Sequence, residues 1–190
     1  MHYFQIKKLN STHSINGFSL LEVMIIVSIL AILTALAAPS FQLMIEKWRV
    51  QETVESMKST IYYARSESIK RGGNIGIEKN PKTLPGCTLA EGTNEWGCGW
   101  FVFVDSDRNG KWKNGEEILK NILISANINV IHKNGGANIT VDRYGMMSGL
   151  NAKGFIFSPA PAGISSPATR ALCMAAGGRI RVIEDFQCSN

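Results

Sequence analysis

Histidine is scarce in this chain: three occur in 190 residues. His2 and His13 precede the first long apolar run, which leaves His132 alone for acid–base work near neutral pH. Beyond that point the sequence also lacks a G-x-S-x-G nucleophile motif and a phosphate-cradling glycine loop. An enzyme is therefore not expected, and neither is a cofactor. No C-x-x-C spacing occurs among the four cysteines, which removes the usual framework of a zinc site. Acidic residues are missing from Met1 to Gly17, while Lys7 and Lys8 are present there. Charge is nearly missing from Phe18 to Phe41, where Glu22 is the sole ionisable side chain.

What is present is apolar enough for a folded head with an appendage, and too apolar for a disordered chain. The formal net charge is +5. It falls to about +3 once Lys7 and Lys8 are set aside as part of a leader, a mildly basic balance. At about 1.5 Å rise per residue, Phe18 to Phe41 is long enough to span a bilayer core of roughly 30 Å, so this stretch is a transmembrane helix candidate. The lysines before it keep the N-terminus cytoplasmic and send the remainder to the periplasm or exterior. Ala37-Ala38-Pro39 is a poor match to a signal-peptidase site and the run continues into an amphipathic helix instead of ending, while Ala35-Leu36-Ala37 keeps such cleavage open as the alternative.

Beyond the membrane stretch, Val50, Val54, Met57, Ile61 and Ala64 alternate by fours and threes, which is one apolar stripe on a helix. The opposite face carries Lys47, Arg49, Glu52, Glu55, Lys58, Arg65 and Glu67, mixed in sign and read as a solvated surface. Pro39 should bend the helix and Gly72-Gly73 should end it. After Gly73 the pattern becomes short β-rich runs: Asn74–Lys79, Trp100–Val104, Ile118–Ile124, Ile128–His132, Ile139–Tyr144, Gly154–Phe157, Ala171–Ala175 and Arg179–Ile183. The expectation is an α+β chain, with an apolar helix over 18–41, an amphipathic stem over 42–73 and an antiparallel β-sheet head over 74–190.

Gly17-Phe18-Ser19-Leu20-Leu21-Glu22, followed by apolar residues, resembles the class III signal of type IV pilins and pseudopilins. The resemblance implies cleavage of the 1–17 leader after Gly17 by a prepilin peptidase, an N-methylated Phe18 and a helix left in the inner membrane before assembly. It gives Glu22 a role in assembly, opposite a neighbouring pilin's terminal amine. Read from the residues alone, Ser19 and Glu22 also form a helix capping box, and a carboxylate among apolar neighbours is costly in lipid unless it has a function. Further on, Ala64-Arg65-Ser66-Glu67-Ser68-Ile69-Lys70-Arg71-Gly72, Gly99-Trp100-Phe101-Val102-Phe103-Val104-Asp105 and Asp142-Arg143-Tyr144-Gly145 resemble the FimT/GspH minor pilins. The type IV pilin fold and a tip-located subunit associated with other major and minor pilins are implied.

Three constellations in the head carry chemistry. Asp105, Asp107 and Asn109, then Gly110 and Glu116, match the spacing of a calcium loop, although Arg108, Lys111 and Lys113 crowd it with cations. The competing reading is an Asx-rich hairpin turn. Pairing by sequence neighbourhood joins Cys87 with Cys98 and Cys173 with Cys188, one of the connectivities open to four cysteines in an oxidising compartment. Gly178-Arg179-Ile180-Arg181 alternates so that two guanidinium forks share a strand face, spaced for successive phosphates. It resembles the GRxR motif of FimT-type pilins of naturally transformable bacteria. This implies weak, sequence-independent binding of double-stranded DNA, with Arg170 and Arg143 as further contacts. The rival is a structural subunit, a GspH-like pseudopilin of type II secretion or a pilus-priming minor pilin, with both arginines as ordinary surface residues.

Overall fold

A computed structural model describes residues 17–190 apart from 86, 88, 125–126, 148–153, 176–177 and 189–190; the side chains of 37–40 also lie outside the described set. The leader before Gly17 falls outside it too, as does the bend expected at Pro39. The chain divides into two compact units, Met1–Phe41 and Gln42–Asn190, and helix α1 is assigned over Leu20–Arg71.

In the first unit the helix begins where Ser19 Oγ accepts the Glu22 amide at 3.2 Å, the forward half of the expected capping box. Among the described residues the Glu22 carboxylate makes no hydrogen bond or ion pair, so the return half is absent. Every described side chain from Phe18 to Leu36 is exposed. Among the described residues no single helix is long and apolar enough to cross a membrane, although Leu20–Leu36 and Phe41–Arg71 meet that test of length and composition together.

The second unit is built on the C-terminal half of α1. Val50, Val54, Met57, Ile61 and Ala64 are all fully buried, as their spacing requires. The helix stops at Arg71 because Gly72 takes a positive φ of 78° and the Gly73 amide reaches back to the Ser68 carbonyl at 2.7 Å. That is a Schellman closure, which satisfies carbonyls the helix would otherwise leave unpaired.

Among the described residues eight strands follow: β1 (Ile75–Lys79), β2 (Trp100–Val104), β3 (Ile118–Ile122), β4 (Ile128–Lys133), β5 (Asn138–Val141), β6 (Gly154–Pro159), β7 (Arg170–Met174) and β8 (Ile180–Ile183). They form two four-stranded antiparallel sheets, β3-β2-β1-β5 and β4-β6-β7-β8, where the sequence suggested one. Both sheets contribute to one core with the helix: Ile75, Ile77, Trp100 and Val102 from the first, Val130, Phe155, Phe157 and Leu172 from the second. Two buried polar contacts fix the helix on the first sheet. Trp100 Nε1 donates to Thr60 Oγ1 at 3.0 Å, and Ser68 Oγ donates to the Val141 and Asp142 carbonyls at 3.0 and 2.6 Å.

The strand expected to run from Ile139 to Tyr144 ends at Val141. Asp142 Oδ1 accepts the amides of Tyr144 and Met146 at 2.9 and 2.8 Å, and Gly145 adopts φ 75°, so Asp142–Gly145 is a turn.

Candidate functional site

The β7–β8 hairpin carries the arginine motif. Its closure is tight: the Gly178 amide donates to the Ala175 carbonyl at 2.8 Å and the Ala175 amide to the Arg179 carbonyl at 3.0 Å, with Gly178 at φ 78°. Arg181 lies opposite Cys173, Val182 opposite Leu172 and Ile183 opposite Ala171. Leu172 belongs to the main core under the sheet, whereas Cys173 and Ala171 form a smaller cluster on the other face with Ile156. Arg181 therefore stands on the face away from the helix, and both Arg179 and Arg181 are exposed. Their alternates are only partly covered: Ile180 packs on the core, but Val182 remains 36% exposed.

Two devices hold this hairpin in place. Cys173 is bonded to Cys188, so the segment after β8 is tied to the strand facing Arg181. Cys87 and Cys98 form the other bridge. The second device lies under Gly178. The space that a side chain there would fill is taken by the guanidinium of Arg65, from the stem helix. The close approach that Gly178 permits is thus to an arginine of the same chain. Gly177, the other half of the pair, lies outside the described residues.

Arg65 departs from its expected place on a solvated face. It is only partly exposed, its Nε is buried without a partner, and it forms no hydrogen bond or ion pair among the described residues. Nothing local in the sequence marks it, because its neighbours across the fold are the distant turns at Gly145 and Gly178.

The two further arginines fall in different places. Arg143 is exposed in the Asp142–Gly145 turn and stacks on Tyr144, its guanidinium carbon 5.0 Å from the ring centre. That turn packs on α1: a side chain at Gly145 would meet Ile69 and the Cβ of Arg65, and one at Gly73 would meet Arg143 itself, so Arg143 lies at the end of the stem helix. Arg170 is at the far end of β7 from the hairpin turn. It pairs with Glu184 at 3.0 Å and donates to the Pro167 and Thr169 carbonyls at 3.3 and 2.8 Å. The structure does not bring it to Arg179 and Arg181. Instead it borders an open apolar groove lined by Met44, Ile45 and Trp48; Trp48, unmarked by any motif, is 74% exposed.

The acidic loop after β2 brings Asp105, Asp107 and Glu116 together, with one oxygen of each inside a 4.8 Å cluster. These oxygens already serve the backbone. Asp105, almost fully buried, accepts the Asn109 and Gly110 amides at 3.1 and 2.8 Å. Asp107 accepts the Asn109 amide at 3.1 Å, and Glu116 accepts those of Ser106 and Lys113 at 2.8 and 2.9 Å. The Asn109 side-chain oxygen accepts from Lys111 at 2.7 Å. The geometry is that of the Asx-rich turn. Glu78 braces the loop by accepting the Trp112 amide at 2.7 Å; burial holds its carboxyl above the usual range, partly offset by that bond.

His132 is buried, stacked on Phe155 with ring centres 4.5 Å apart, edge-on to Trp96, and its Nδ1 is 3.0 Å from the Gly136 carbonyl. It packs in the core of the head.

Comparison with known proteins joins these observations. Residues 53–183 match the family described as type II transport protein GspH, and residues 13–38 match the prokaryotic N-terminal methylation motif. No curated protein sequence matches. Two crystal structures of the Pseudomonas aeruginosa type IV minor pilin FimU share the fold. One is 18% identical, covering 70% of this chain and 91% of its own at a TM-score of 0.50; the other is 19% identical, covering 70% and 87% at 0.51. The minor pseudopilin EpsH of the Vibrio cholerae type 2 secretion system is 12% identical, covering 71% and 96% at 0.47. The α+β arrangement of a long N-terminal helix and antiparallel sheets is the type IV pilin fold, and the chain belongs to the family described as type II transport protein GspH.

Proposed function

We propose that this chain is a minor pilin of a type IV pilus that binds extracellular double-stranded DNA through Gly178, Arg179 and Arg181 for natural transformation. It catalyses no reaction. Prepilin peptidase cuts after Gly17, Phe18 is methylated, and the apolar helix holds the subunit in the inner membrane with its head in the periplasm. Glu22, whose carboxylate has no partner within the described chain, then pairs with a neighbouring pilin's terminal amine during assembly. The head ends up extracellular, at the pilus tip.

The observation that carries the reading is the exposure of Arg179 and Arg181 on a hairpin closed by Gly178 and tied by Cys173–Cys188. Guanidinium forks held on such a prong suit phosphate oxygens, which they bind bidentately. With a few phosphates engaged, affinity belongs in the non-specific range, about 10⁻⁴ to 10⁻⁶ M, and falls steeply with salt.

The test is fluorescence anisotropy with a labelled 30-base-pair duplex, using the full chain in nonionic detergent at several salt concentrations. Arg179→Gln with Arg181→Gln should weaken binding at least tenfold and lower the salt slope by about two, one unit per phosphate released. Unchanged binding ends the DNA reading. The apolar groove at Met44, Ile45 and Trp48 favours a second reading, a purely structural subunit that packs against other pilins. Loss of transformation with intact piliation in the double variant would rule that reading out.

A further inference from the structure

Two turns pack along different parts of one helix residue. Gly178, next to Arg179, packs directly on the Arg65 guanidinium, and Gly145, two residues after Arg143, packs on the Arg65 Cβ. Consecutive Cα atoms are about 3.8 Å apart, so Arg65 lies within a residue or two of both other arginines. Arg179 thus follows directly on the glycine that the Arg65 guanidinium packs against, while Arg143 lies by the Cβ end of Arg65 with its own guanidinium on the Tyr144 ring. The acid in this neighbourhood, Asp142, already accepts the Tyr144 and Met146 amides through Oδ1. Arg65 has a buried Nε with no partner, and no ion pair among the described residues. A partly buried cation in that state is poorly compensated, and an incoming anion supplies what the fold does not.

We propose that Arg65 is a phosphate ligand beside the Gly178 turn, so that the DNA-contacting surface is a composite of the stem helix and the β7–β8 hairpin. The inference rests on the DNA reading above and extends it to a residue outside the linear motif. The ligand is a phosphodiester of the nucleic-acid backbone. A fork set against the Gly178 main chain is well placed to receive such an oxygen without a large rearrangement of the hairpin.

The experiment compares Arg65→Gln, Arg65→Lys and the Arg179→Gln/Arg181→Gln double variant, each as the full chain in nonionic detergent against the same 30-base-pair duplex over a salt series. Arg65→Gln should weaken binding roughly tenfold at low salt and reduce the log–log salt slope by about 0.9, the value for one phosphate contact. Arg65→Lys keeps the charge and should keep the slope. Arg65→Met, which retains the packed stem, takes the place of Gln if that variant does not fold. An unchanged slope in Arg65→Gln, with binding lost in the double variant, overturns this inference and leaves the DNA reading standing. An equal fall in Arg65→Gln and Arg65→Lys also overturns it, because the guanidinium then acts only by packing. No effect of the double variant overturns both.

Discussion

Asp105 sits at the exit of β2 and Arg179 at the entry to β8, close to Gly110 and Gly178, both of positive φ, yet their charged atoms go in opposite directions. The carboxylate of Asp105 turns inward and accepts two backbone amides. The side chain of Arg179 projects outward and, among the described residues, meets no partner. Both segments match short functional patterns, a calcium loop and an arginine motif, and the match alone does not separate them. What separates them is whether the fold has already assigned the polar atoms. In the acidic loop they stabilise the turn itself; in the basic hairpin the turn is closed by main-chain bonds and the Arg179 side chain takes no part in closing it.

The largest effect in this comparison should come from untying the basic side. Cys173→Ser with Cys188→Ser removes a bridge of sequence separation 15. The chain-entropy model puts the loss near 3 kcal/mol, visible in a denaturant titration, and DNA binding should fall as β8 frays. Asp105→Ala on the acidic side leaves two amides without their acceptor and should cost about 2 kcal/mol in calcium-free buffer. Calorimetry with the wild-type chain at millimolar calcium should show no heat, since the ligand oxygens are already engaged; a melting shift would reverse the contrast. Gly178→Ala should cost about 1 kcal/mol through its positive φ alone, with a further loss as the new methyl displaces Arg65. The smallest effect is a change of slope. Burial raises the Glu78 carboxyl above its unfolded value of 4.5, so its share of stability is full below that pH and is lost as pH rises through the folded value. In Glu78→Gln, melting temperature followed upward from pH 4.5 should therefore fall less steeply than in the wild type.

Most of the architecture is legible in the sequence, for reasons that vary by element. The stem stripe from Val50 to Ala64 is readable because one helix period decides which side chains are buried, and all five are. Trp100–Val104 is readable as a strand from its aromatic and β-branched residues. The end of β5 is not, because Ile139–Tyr144 looks extended until Asp142 captures two amides beyond it. At the candidate site, the arginine pair is visible from strand alternation, whereas Arg65 is hidden among helix charges of both signs. Its role depends on Gly178, which only tertiary folding brings alongside. Arg170 fails in the reverse sense: its position near the motif in sequence says nothing of Glu184, which claims it across the ladder. The division into two sheets is set by long-range pairing, which strand composition does not encode.

Among the described residues β8 is the outermost strand of its sheet, with β7 as its neighbour. One rim of its amide and carbonyl groups therefore stays open to any extended peptide that drifts alongside. A strand of four residues that bears a bulky cation, with another just before it, is a poor template for such annealing, and the covalent tether behind it limits how far it can peel away. The guanidiniums that mark this hairpin thus also guard it against zipping onto a second head.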